Sequence, residues 1–187
     1  MQPARTEPVR FTYSDYLKFP DDGRRHELIE GAHLVTPAPD RRHQKISVRL
    51  LFAIESYLRA HPVGEVYTAP LDVILSDEDV VEPDLLFVSN ARSAVLGTSV
   101  HGAPDLVVEI LSPSTRRTDE IAKRRLYDRA GVVEYWIVDP EIEVVKVHRR
   151  ADDGTFPRVA ERSREAGDAL TTPLLPGFSL DLAELFA

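Results

Sequence analysis

The chain contains no cysteine among its 187 residues. Disulfides, thiolate nucleophiles and cysteine-bound metals are therefore excluded, and a metal would have to be held by oxygen or imidazole ligands. Aromatic residues supply only 7% of the chain, with one tryptophan. That residue, Trp136, lies beside Tyr135 in a strand-like run, so both are expected to pack a core and not to stack on bases. No segment approaches the roughly 18 consecutive apolar residues of a membrane span, and no secretory apolar region opens the chain. The expected location is cytoplasmic. There is no excess of basic charge: the net charge is -8, which counts against indiscriminate electrostatic binding to nucleic acid. No nucleophile elbow, glycine-rich phosphate loop or zinc motif is present.

What is present fits a single α/β domain over residues 11–187 behind a flexible tail at 1–10. With 43% hydrophobic residues, a chain of this length can bury roughly 70% of its unfolded surface. Residues 26–30 and 32–35 read as a hairpin turning at Glu30 and Gly31. From about Asp40 to Arg59 the apolar residues Ile46, Leu50, Ala53, Ile54, Tyr57 and Leu58 recur at helical spacing, leaving Arg42, Lys45, Arg49 and Arg59 mostly off the stripe. The acidic turn at 77–79 leads into a strand ending at Val88. Leu106 to Leu111 reads as a central strand covered on both faces. Thr118 or Asp119 is a candidate N-cap for a helix to Ala130, ended by Gly131; Ile121, Ala122, Leu126, Tyr127 and Ala130 are expected to face the core. Tyr135 to Val138 and Val144 to His148 follow as paired strands, and a short helix begins near Asp181. This order implies helices on both sides of a mixed sheet.

Two of these apolar strands carry a carboxylate that packing does not require. Asp84 follows Pro83 at the start of one, and Glu109 interrupts the other. An ionised carboxylate in a buried strand is costly unless it is paired or binds a cation. If the strands are neighbours, both side chains can meet at a sheet edge and hold Mg²⁺, which typically takes one or two carboxylates plus waters and phosphate oxygens. Period-two alternation sends Leu111 to the same face as Glu109, so a third polar group is missing there. Lys123, four residues before Tyr127 on one helix face, can supply that charge and act on an attacking water or on developing phosphorane charge. Asp105, after Pro104, is a rival for Asp84. Glu109 could also form a buried ion pair with Arg116 or Lys123. His43, Ser112, Ser114 and Thr115 lie beside basic clusters and could contact a phosphate or serve local structure.

The segments PDLLFV and PDLVVEILSPSTRRTDEIAKRRLYDRAGVVEYWIVDPE, with HELIEGAHLV upstream and LLPGFSLDLAELF at the end, resemble the Uma-two family of restriction-endonuclease-like proteins, within the PD-(D/E)XK nuclease superfamily. The likeness runs from about Tyr13 to Phe186. It implies a restriction-endonuclease-like mixed β-sheet flanked by α-helices, a Mg²⁺ cofactor for which Mn²⁺ can substitute, and DNA as substrate. It matches Asp84 to the aspartate of the PD element and Glu109 to the acidic position of the second element. Leu111 stands where the motif has lysine, and Lys123 is similar to the lysine that migrates to a neighbouring helix in variant members. Glu27 matches an acidic residue that completes the metal site, and His43 is an additional candidate. Arg116 and Arg117 are candidates for phosphate contacts, and a homodimer would suit cutting of both strands. The alternative expectation is a catalytically inactive nuclease-fold module that binds nucleic acid or a protein partner, motivated by Leu111 and the acidic net charge. A further alternative is a structural or interaction protein whose carboxylates only form ion pairs.

Overall fold

The computed structural model describes residues 9–157 and 159–187. The expected tail therefore lies outside the described residues except for Val9 and Arg10, and Arg10 is tied to the Glu30 carbonyl and to Glu78. In chain order the elements are α1 (Tyr13–Tyr16), β1 (Arg25–Ile29), β2 (Ala32–Thr36), α2 (Arg41–Ala60), β3 (Gly64–Thr68), β4 (Val73–Ser76), β5 (Asp79–Val81) and β6 (Leu85–Ser89). A 3₁₀ turn at Asn90–Val95 precedes β7 (Val100–His101) and β8 (Leu106–Ile110). A π-helical stretch at Thr118–Lys123 then runs into α3 (Arg124–Ala130). The chain ends with β9 (Glu134–Asp139), β10 (Val144–Arg149), β11 (Val159–Ser163), β12 (Ala169–Leu170), β13 (Leu180–Asp181) and α4 (Leu182–Leu185). Among the described residues no helix is long and apolar enough to cross a membrane.

A six-stranded sheet in the order β11-β10-β9-β8-β6-β3 forms the centre, with β8 and β9 parallel and the other pairs antiparallel. Because strand side chains alternate, the sheet has a core on each face. Leu106, Val108 and Ile110 of β8 face one core with Ile46, Leu50, Ile54 and Leu58 of α2. Val107 and Leu111 face the other, with Leu126 and Tyr127 of α3 and residues of a second, five-stranded sheet, β2-β1-β5-β4-β7. Coverage of both faces explains why β8 is apolar throughout except at Glu109.

The long helix follows its sequence signal closely. Asp40 caps it by accepting from the His43 backbone N–H, and every fourth residue from Ile46 to Leu58 is buried. The hairpin also forms as expected: Glu30 and Gly31 adopt φ of 53° and 72°, the left-handed pair that lets two strands reverse in two residues. Gly131 takes φ of 89° to end α3.

Two expectations are corrected. Asp79 to Val88 is not one strand: β5 pairs in the small sheet and β6 in the large one. Pro83 lacks an N–H for either ladder, so the chain crosses between sheets at Glu82–Asp84. The helix after β8 does not start from a capped Thr118 or Asp119; it opens as a π-helix with no side-chain cap. Ile121 and Lys123 both lie within this wider turn, where Ile121, expected in the core, is 45% exposed while Lys123 is buried.

Gly64 fixes how β3 meets β6. A Cβ there would collide with the Val88 carbonyl and lie 2.6 Å from the Phe87 ring. Gly64→Ala is expected to destabilise the protein by about 1–3 kcal/mol, lowering its urea midpoint. Gly97→Ala is the milder comparison, since its methyl would meet only the Ser99 carbonyl, at 3.3 Å. Equal midpoints for the two variants would contradict this strand pairing.

Candidate active site

The antiparallel ladder of β6 and β8 pairs Leu85 with Val108, and continuing it by one residue sets Asp84 opposite Glu109. The two carboxylates, 25 residues apart in sequence, thus reach one sheet end because the strands that carry them are neighbours. Both line a cavity of about 420 Å³, walled by the Pro37–Pro39 segment, the start of α2 and the Ser112–Thr115 turn.

Asp84 is buried and held by three donors. Its Oδ1 accepts from Arg25 at 2.9 Å; its Oδ2 accepts from His43 Nε2 at 3.0 Å and from the Ile110 backbone N–H at 2.8 Å. Arg25 arrives from β1 in the small sheet and His43 from the first turn of α2, so three elements converge on one side chain. With Nε2 donating to the carboxylate, the other ring nitrogen of His43, Nδ1, is a buried polar atom without a hydrogen-bond partner among the described residues.

Glu109 belongs to a second cluster. Its Oε1 accepts from Lys123 Nζ at 2.9 Å and from the Tyr127 hydroxyl at 2.8 Å. The same ammonium donates to Glu27 Oε1 at 2.8 Å and lies 3.7 Å from Asp119 Oδ1. Glu27 Oε1 also accepts from the Glu82 N–H at 2.9 Å, tying β1 to the sheet crossing. One buried cation therefore faces three buried carboxylates. Tyr127 and Lys123 are spaced by four residues, which places both on Glu109.

The charge imbalance sets the protonation of the cluster. Burial works to discharge Lys123, but Glu109, Glu27 and Asp119 hold its pKa well above the ordinary lysine value. Burial raises Glu109 well above the ordinary glutamate value, with Lys123 opposing it and Asp119, Asp84 and Glu27 adding repulsion. Asp119 is pushed up to about 6, by burial first and then by the neighbouring carboxylates, against Lys123 and a Thr115 hydrogen bond. Asp84 goes the other way. Burial would raise it, but the His43 bond, the His43 and Arg25 charges and the Ile110 N–H lower it to about 2. The site thus pairs a carboxylate whose pKa is held low with one whose pKa burial raises, a division that marks functional clefts.

No group of three or more histidine, aspartate or glutamate residues is arranged to hold a metal ion among the described residues. The donors suit a two-carboxylate site nonetheless. Asp84 Oδ1 accepts one bond and retains a lone pair, Glu109 Oε2 receives no hydrogen bond among the described residues, and both residues line the cavity. Hard oxygen donors with open positions for water and phosphate are what Mg²⁺ takes. Glu27 does not line that cavity. It borders an adjoining one of about 130 Å³, together with Asp119, Ser114 and Thr115.

The remaining candidates are spread around the cavity. Arg116 makes a bidentate pair with Asp139, at 2.5 and 3.1 Å, and reaches Glu141 at 3.0 Å. Arg117 is exposed. Ser112 bonds Ser114 and Thr115 at 3.0 Å through their hydroxyls, organising the turn that forms one cavity wall. The rival Asp105 caps the far end of β6: it accepts from the Ser89 N–H at 2.7 Å and pairs with Arg92 at 3.3 Å. Reading the sequence missed Arg25 and did not give Tyr127 a role. Tyr127 carried a signal, its spacing from Lys123; Arg25 carried none, because its position depends on how the two sheets pack.

Residues 13–183 match the family model for Uma2, described as a putative restriction endonuclease. The chain is 28% identical over 145 residues to the uncharacterized protein slr1290 of Synechocystis sp., covering 76% of this chain and 75% of that one. It superposes with a TM-score of 0.82 on the crystal structure of a putative nuclease belonging to DUF820 from Anabaena variabilis. The match has 22% identity and covers 94% of this chain and 97% of the other. The fold is thus the restriction-endonuclease-like mixed sheet flanked by helices that the family resemblance implied.

The opposite shifts at Asp84 and Asp119 give opposite pH dependences. Asp84, depressed from 3.8 to about 2, contributes stability that is complete above about pH 4 and is lost as pH falls through its folded value. Asp119, raised from 3.8 to about 6, binds a proton in the native state that the unfolded chain releases, so its contribution declines as pH rises from about 4 to 6. In EDTA, the stability difference between wild type and Asp84→Asn should shrink below pH 4. Asp119→Asn should flatten the decline between pH 4 and 6. Urea unfolding across pH 2–8 measures both, and differences independent of pH would contradict these environments.

Proposed function

The chain belongs to the Uma2 family, and from that premise we propose that it is a metal-dependent nuclease that hydrolyses phosphodiester bonds of DNA. The observation that carries this reading is the meeting of Asp84, Glu109 and Lys123 at one cavity, with the lysine supplied by the helix after β8 and not by the strand position that Leu111 fills. Asp84 and Glu109 would hold Mg²⁺, or Mn²⁺ in its place. The cation would neutralise phosphate charge and acidify a bound water.

Each remaining residue has a task derived from its contacts. Lys123 keeps its charge at the end of Glu109 and is positioned to stabilise a phosphorane or orient the attacking water. Glu27 and Asp119 retain that charge in a buried site, and Tyr127 fixes Glu109 from its other side. His43 and Arg25 hold the Asp84 carboxylate ionised and oriented; they are positioning residues. Arg117 is free to meet a substrate phosphate, whereas Arg116 braces the Ser112–Thr115 turn through Asp139. Burial raises the Glu109 pKa and a divalent cation would lower it, so metal binding would be coupled to pH.

A second reading, a nuclease-fold module that binds nucleic acid or a protein without cleaving, draws on one observation: Asp84 and Glu109 are already matched by cations of the protein itself. Metal binding and activity together separate the two. Calorimetry should show Mn²⁺ binding to wild type with proton release, and Asp84→Ala and Glu109→Ala should remove it while circular dichroism stays unchanged. Both variants should lose divalent-dependent cleavage of DNA by about a hundredfold or more. Lys123→Ala should lose cleavage while retaining metal binding. Cleavage by Glu109→Ala at the wild-type rate would overturn the nuclease reading. DNA binding without cleavage in any divalent cation would favour the second.

A further inference from the structure

The outward face of α2 carries an apolar patch that the nuclease reading leaves unused. Val48 is 60% exposed and Phe52 73% exposed. They border a groove of about 570 Å³ that continues across Ala53 and Tyr57 to Phe178 and Leu180 of the C-terminal segment. Exposed aromatic and branched side chains grouped in this way mark an interaction surface.

The residues around the patch are arranged symmetrically about Leu50. Val48 and Phe52 lie two positions on either side, Lys45 and Glu55 five, and Arg41 and Arg59 nine. At ~100° per residue all six fall within about 40° of the direction opposite the buried Leu50 side chain, which makes one continuous outward stripe. A two-fold axis through residue 50 maps such a stripe onto itself with the helices antiparallel. Val48 of one copy then meets Phe52 of the other, and Lys45 meets Glu55 at both ends of the patch. Glu55 already holds Arg59 at 3.1 Å on its own helix, so Lys45 would be its second cation. The like-charged Arg41 and Arg59 fall at the extremities, where helices crossing at the common angle of about 50° have diverged.

We propose that this stripe is the interface of a homodimer in which two copies of α2 pack antiparallel about residue 50. Self-complementarity of apolar and charged residues about one point is what an isologous contact requires. No other class of partner needs it. Each Phe52 brings roughly 150–250 Å² of apolar surface to the contact, seated against the partner's groove. The inference is independent of the nuclease reading, because it is read from association and not from cleavage.

Sedimentation velocity from micromolar to near-millimolar protein tests it. Wild type should associate to a dimer, and Phe52→Asp should weaken association by about a hundredfold or more with an unchanged circular dichroism spectrum. Lys45→Glu places glutamate against Glu55 and should be monomeric; Glu55→Lys places lysine against Lys45 and should be monomeric too. An equimolar mixture of these two variants puts opposite charges at both contacts and should restore the dimer. A wild-type chain that stays monomeric throughout would overturn the proposal, including one that shifts only when a DNA duplex or another protein is added. It would also be overturned if each charge variant dimerised alone, or if their mixture failed to associate.

Discussion

The ammonium of Lys123, surrounded by Glu27, Glu109 and Asp119, is the constraint around which the site is built. Each of these groups is buried to within a few per cent of completely, and desolvating any one of them alone would cost several kcal/mol. They are tolerable only as a set. One cation cannot balance three anions in a medium where water does little screening, so the pKa values of Glu109 and Asp119 are raised above the ordinary carboxylate range. The surplus negative potential has a direction, because Glu109 opens on the cavity while Glu27 faces an adjoining one. On the metal-dependent reading, a site of this kind would gain from accepting a divalent cation.

The backbone makes the set possible by an irregularity. Between Val81 and Leu85 the chain leaves one sheet and enters another, and the three residues of that crossing belong to neither strand. Freed from pairing, the Glu82 N–H bonds Glu27 and the Asp84 side chain accepts from the Ile110 N–H. A second irregularity, the π-helical opening of the helix after β8, turns Lys123 inward. Local departures from regular structure are common where a fold has to aim side chains that packing alone would not select. Here both departures occur next to the same cavity.

How far the sequence revealed this differs from residue to residue. The extent of α2, the hairpin at Glu30 and Gly31, the stop at Gly131 and the central strand around Glu109 were all legible, since each depends on a local period or a single backbone requirement. Asp84 and Glu109 stood out because a carboxylate in an apolar strand demands a partner. Leu111 left the Glu109 face of the strand without a basic group, and Lys123 of the following helix lies in contact with Glu109. What could not be read were relations between distant elements: the division of 79–88 between two sheets, the arrival of Arg25 at Asp84, and the exposure of Ile121. These follow from sheet-to-sheet packing and from one extra residue in a helical turn, neither of which leaves a period in the sequence.

The acidic character of the chain bears on how an anionic substrate could be accepted. Arg116 and Arg25, the arginines nearest the two strand carboxylates by sequence or by contact, are bound to Asp139 and Asp84 and contribute little free positive potential. A phosphodiester entering the cavity would meet Glu109 and the Glu27–Asp119 surplus before it gained much from Lys123, whose charge is already shared three ways. If the chain is the metal-dependent nuclease proposed above, electrostatics would oppose the substrate until a divalent cation is present, and would oppose the cation's full coordination until water or phosphate oxygens complete it. The two ligands should bind as a cooperative pair. On the proposed reading the last ligands of the site would come from the nucleic acid, which would tie affinity for DNA to the metal and not to the net charge of the protein.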